Sequence, residues 1–170
     1  MPILCRVTRG DLTESIHVVF AVAVDETGAV FYSTGDPYYL TCIRSSLKPF
    51  QAAAAVKAGA VDAAGFSDDE LAMMCASHSG EDIHVNTVHS MLNKLGLSTA
   101  DLECGSHFPS DKITRHKMIK EGKAAESIHN NCSGKHAGML ALAKHLDQGI
   151  KGYIQKDHPI QKKIFNLVHE

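Results

Sequence analysis

The chain has 170 residues, 44% of them hydrophobic and 21% charged, a balance that suits one folded core and excludes an intrinsically disordered chain. Its net charge of −2 comes from scattered acids and bases, leaving no basic face for nucleic acid or anionic lipid. The longest apolar stretch, Val18 to Val24, is far too short to cross a bilayer.

The opening MPILCRVTRGD lacks the charged-then-apolar pattern of a secretory signal. Five cysteines, Cys5, Cys42, Cys75, Cys104 and Cys132, are odd in number and far apart, so reduced thiols of the cytoplasm are expected rather than a disulfide framework. Up to residue 40 the runs are short and β-rich. His17 to Val24 and Val30 to Ser33 are dense in Val and Phe, and Asp25-Glu-Thr-Gly28 between them has turn chemistry, which predicts a β-hairpin. Gly35-Asp36-Pro37 ends the pattern.

From Ser45 to Gly59 the texture becomes helical, SSLKPFQAAAAVKAG, closed by glycine. Pro49 belongs in a first turn, where its missing N–H costs nothing, so the helix is expected to start at about Ser45. Ser67 to Cys75 follows, with a Ser cap and first-turn acids. Ile83 to Leu95 ends before Gly96, and Lys112 to Lys123 reads as another helix. Gly134 to Leu146 comes after the polar stretch HNNCSGK. The closing PIQKKIFNLVHE is periodic without a stop signal, so the chain is expected to end inside a helix, as a fragment would.

Three stretches could carry chemistry, while no HExxH, CxxC or Gly-rich phosphate loop is present. Ser45 and Lys48 form Ser-x-x-Lys at a helix start, where spacing i, i+3 places both on one face. A serine hydroxyl needs a base before it attacks, and a partly desolvated lysine can serve. The free N–H groups of the helix end favour developing negative charge. Spacing alone is weak, because capping and surface charge explain such a pair as well. In Cys75-Ala-Ser-His-Ser-Gly-Glu81, the residues Ser77, His78, Ser79 and Glu81 crowd a glycine; the turn either supplies a relay hydroxyl and substrate donors or merely caps local backbone. In His129-Asn-Asn-Cys-Ser-Gly-Lys-His136, the residues Cys132, Lys135 and His136 share a helix face. They suit part of a zinc site, a thiol nucleophile activated by His136, or a buried cysteine with no chemistry.

Together RSSLKPFQA (Arg44 to Ala52), CASHSGE (Cys75 to Glu81) and HNNCSGKHAGML (His129 to Leu140) resemble the signature segments of the asparaginase II family, the Rhizobium etli type. RGDLTESIH, LECGSHFP and HPIQKKI agree in order along the whole chain. The resemblance implies a mixed α/β chain with a serine β-lactamase/glutaminase-like fold, residues 1–170 forming the N-terminal half of a single domain. It implies an L-asparagine amidohydrolase acting through a serine acyl-enzyme, with Ser45 as nucleophile, Lys48 as activator and Ser77 as relay, Ser79 being the reserve candidate. Arg44, His78, Ser79, Gly80 and Glu81 would contact substrate. Cys132 and Lys135 would be two zinc ligands, the others lying outside this chain, and a homodimer is implied. The competing readings are a glutaminase or β-lactamase-like serine acyl hydrolase, and an inactive fragment that only binds zinc or a partner.

Overall fold

The computed structural model describes residues 2–169, which form two compact units, residues 2–42 and residues 43–169. Strands occupy the first and helices the second, so the described chain is mixed α/β.

In the first unit β1 (Ile3–Arg9) pairs antiparallel with β2 (Leu12–Val19), and β3 (Ala21–Val24) with β4 (Val30–Thr34). The expected turn is present. One carboxylate oxygen of Asp25 accepts the N–H groups of Thr27 and Ala29, each at 2.9 Å, and the Thr27 hydroxyl at 2.6 Å. These bonds hold the Asp25 carboxyl below its ordinary range. The expected strand from His17 to Val24, however, is two strands. Phe20 leaves the ladder to stack on Tyr39, ring centroids 4.4 Å apart, and His17 to Val19 pair with β1 instead.

The second unit is built on α6 (Ser133–His145), which packs against α1 (Lys48–Lys57), α2 (Ala60–Ala63), α3 (Asp68–Cys75), α4 (Asp82–Lys94) and α7 (Pro159–His169). A helix buried on every side must be apolar or small on every side. Ala137, Leu140, Leu142 and Ala143 meet that demand and are fully buried. Gly134 and Gly138 let α3 approach. A Cβ on Gly134 would stand 2.4 Å from the Met73 carbonyl oxygen, and one on Gly138 would stand 2.5 Å from the Met74 methyl. α5 (Lys112–Lys120) lies to the side, shorter by a turn than the sequence suggests.

Local signals fix several ends. Ser67 and Glu70 form a reciprocal capping box on α3. Buried Glu70 also accepts from Ser90 at 2.7 Å and pairs with Lys94 at 2.7 Å. Burial raises its pKa, but Lys94, Ser67 and Ser90 together outweigh that and hold the carboxyl below the usual range. No helix among the described residues is long and apolar enough to cross a membrane.

Candidate active site

The chain enters the site under strain. Arg44 sits at φ +51°, a left-handed conformation that a bulky side chain seldom adopts. Arg44–Leu47 then wind into a 3-10 turn that runs straight into α1, with Pro49 second in the helix. Ser45 therefore stands in the tight turn ahead of α1, and the helix proper begins at Lys48, three residues later than the sequence suggests.

Lys48 is 2% exposed. Its Nζ donates to the Ala76 carbonyl at 2.7 Å, to Ser77 Oγ at 2.7 Å and to the Asn131 carbonyl at 3.3 Å. An ammonium has three protons, and these acceptors, all neutral oxygens, use them. The Ser77 hydroxyl in turn donates to Ser45 Oγ at 2.8 Å. Ser45 and Lys48 are thus joined through Ser77. With an unprotonated amine, the same contacts can run in reverse, Ser45 donating to Ser77 and Ser77 to Lys48.

Beyond Ser77 the second stretch turns inward. His78 is 4% exposed; its Nδ1 accepts the Gly80 N–H at 3.1 Å, so Nε2 carries the proton and donates to Ser133 Oγ at 2.8 Å. Burial pushes the imidazole down to about 4, helped by His84, Lys48, His107 and His129. His78 acts here as a neutral strut. Gly80 has φ +82°, and a Cβ there would meet Pro109 at 2.9 Å. Ser79 Oγ donates to Glu81 at 2.6 Å. Gly80 lines a different recess, with Asp82 and His129, so residues 78–81 shape the turn behind Ser77.

An open pocket of about 370 Å³ is lined by Arg44, Ser45, Lys48, Gln51, Asn131, Cys132 and Lys135. The structure therefore gathers Ser45, Lys48, Ser77, Arg44, Cys132 and Lys135 into one site. Burial lowers the Lys135 pKa and Lys48 adds to this, against the opposing pull of Cys132 and Cys104. Cys104 is pushed up to about 11, mainly by burial. Zinc takes four N, S or O donors, and an amine must lose its proton to bind. Cys132 and Lys135 suit two of those positions. Among the described residues no three His, Cys, Asp or Glu side chains converge as a metal shell. All five cysteines are free thiols.

The profile of the L-asparaginase II family matches residues 5–170. The chain belongs to the L-asparaginase II family. No curated protein matches it. Family membership points to asparaginase-type hydrolysis of a small-molecule substrate. For a member of the L-asparaginase II family, the site holds two contributors that the sequence analysis did not single out. Gln51, one turn after Lys48, was hidden by its helix-forming character. Asn131 lies within a motif but acts through its carbonyl oxygen, which bridges Lys48 Nζ at 3.3 Å and the His78 N–H at 3.2 Å.

Proposed function

We propose that the protein hydrolyses L-asparagine to L-aspartate and ammonia through an acyl-enzyme on Ser45. The observation that carries this is the chain from Ser45 Oγ through Ser77 Oγ, 2.8 Å away, to Lys48 Nζ, a further 2.7 Å on. Unprotonated Lys48 takes a proton from Ser77 as Ser77 takes one from Ser45. Ser45 Oγ then bonds to the side-chain amide carbon, whose oxygen gains the negative charge. Collapse breaks the C–N bond, and the proton held on Lys48 returns through Ser77 to the leaving nitrogen, releasing ammonia. Water attacks the resulting ester and gives its proton to the same relay; the C–O bond breaks and Ser45 recovers its hydroxyl. Main-chain N–H groups at the start of the helical run favour the oxyanion.

Arg44, on the pocket rim, offers a guanidinium fork to the substrate carboxylate. Cys132 and Lys135 would hold a zinc ion by thiolate and free amine, and when bound it would supply positive charge beside the substrate. The reading assumes a serine β-lactamase/glutaminase-like fold and a reduced, cytoplasmic setting for the thiols. The test is ammonia release from L-asparagine by wild-type protein and Ser45→Ala. The expected loss is on the order of 10⁴-fold or more in kcat. Undiminished release by the variant would remove Ser45 from the mechanism, and a kcat/KM higher for L-glutamine than for L-asparagine would reassign the substrate.

A further inference from the structure

The phenol of Tyr153 is fully buried and lies outside the serine–lysine relay. Its oxygen is 2.7 Å from His136 Nδ1 and 2.9 Å from the Glu103 backbone nitrogen. The Glu103 N–H can only donate, so it occupies a lone pair of the phenol. The phenolic proton is shut away from water and needs an acceptor, which His136 Nδ1 supplies. Nδ1 therefore carries a lone pair, and the imidazole's own proton sits on Nε2. A histidine that binds metal through Nε2, or takes a proton there, has the opposite arrangement, with Nδ1–H donating to a neighbour.

The same residue is tied by its backbone, since the His136 N–H donates to the Cys132 carbonyl at 3.1 Å. Around the phenol, the Glu103 carboxylate accepts from the Gly152 N–H at 2.8 Å, and Gln161 Nε2 donates to the Tyr153 carbonyl at 2.8 Å. Tyr153 thus joins the segment carrying Cys104, the loop before α7 and the first turn of α6.

We infer that Tyr153 is a positioning residue for the candidate site: its hydroxyl sets His136 in the Nε2–H form, out of any metal shell or base role, and steadies the turn that presents Cys132 and Lys135. The inference rests on the proposed function only for what those two residues do; the tautomer stands or falls separately. Long-range ¹H–¹⁵N correlation near neutral pH should show His136 with Nδ1 unprotonated in the wild type and a tautomer mixture in Tyr153→Phe. With chelator present, alkylation of Cys132 measured by mass spectrometry against Cys75 should quicken about tenfold in Tyr153→Phe. A wild-type His136 protonated on Nδ1, or a Cys132/Cys75 ratio unchanged in Tyr153→Phe, would overturn the inference. If Tyr153→Phe does not fold, His136→Asn and His136→Ala decide the matter. The Asn oxygen replaces Nδ1 as acceptor and should keep Cys132 slow, whereas Ala should release it; equal rates in the two would overturn the inference. Loss of asparagine hydrolysis alone would leave both readouts intact.

Discussion

At Ser77 a single hydroxyl touches both partners of the proposed chemistry, 2.8 Å from Ser45 Oγ and 2.7 Å from Lys48 Nζ. Ser77→Ala should lower kcat by about 10²- to 10⁴-fold, the usual worth of a positioned proton carrier, with KM changed little. Steady-state ammonia release checks this, and a Ser77→Ala enzyme with wild-type kcat would break the relay. Ser45, Lys48 and Ser77, which meet in the structure, were singled out in the sequence because their strings resemble a family's signature segments. The contribution of Asn131 was not, because a main-chain carbonyl has no residue signature. The resemblance also implies a substrate contact for His78. Its two ring nitrogens are taken by Gly80 and Ser133.

Among the elements, helices were easier to read than strands because their ends are written locally, in the Ser67 capping box, Pro49 and the closing glycines. Strand partners are chosen at a distance, and β1 claimed residues that looked like part of the next hairpin. One close helix contact is also written locally, but in the smallest residue. Gly134→Ala would drive a Cβ to 2.4 Å from the Met73 backbone oxygen, which cannot swing aside as a side chain would. The expected cost is about 1–3 kcal/mol in urea unfolding. Gly149→Ala, whose Cβ would meet nothing within 4 Å, should stay within about 0.5 kcal/mol of wild type. Equal stability of the two variants would contradict the close packing of α3 on α6.

For the molecule as a whole, part of the acid sensitivity follows from His78, and part from His136, whose imidazole burial likewise holds down, to about 3. In the fold the His78 pKa is held down to about 4 by burial and by the nearby His84, Lys48, His107 and His129. Unfolded, it titrates at about 6.5. Above that value both states are neutral and its contribution to stability is complete. Between about 6.5 and about 4 the unfolded chain binds the proton first, so stability falls with falling pH, by up to about 1.4 kcal/mol per unit from this group. Glu70, whose carboxyl is held low in the fold, adds a loss of the same sign at lower pH, beginning near the ordinary glutamate range. Urea unfolding across this range should show the decline, and His78→Gln should flatten its upper part. An unchanged slope in that variant would assign the acid sensitivity elsewhere.

The lysine at the centre of the site is gripped by the carbonyl oxygens of Ala76 and Asn131. Main-chain oxygens survive almost any replacement of the side chains beside them. They do not survive a change in chain length, because one inserted or deleted residue carries the oxygen a full step along the backbone, about 3.8 Å. The site is therefore tolerant of substitution at these positions and brittle to insertion or deletion within 75–78 or 129–133.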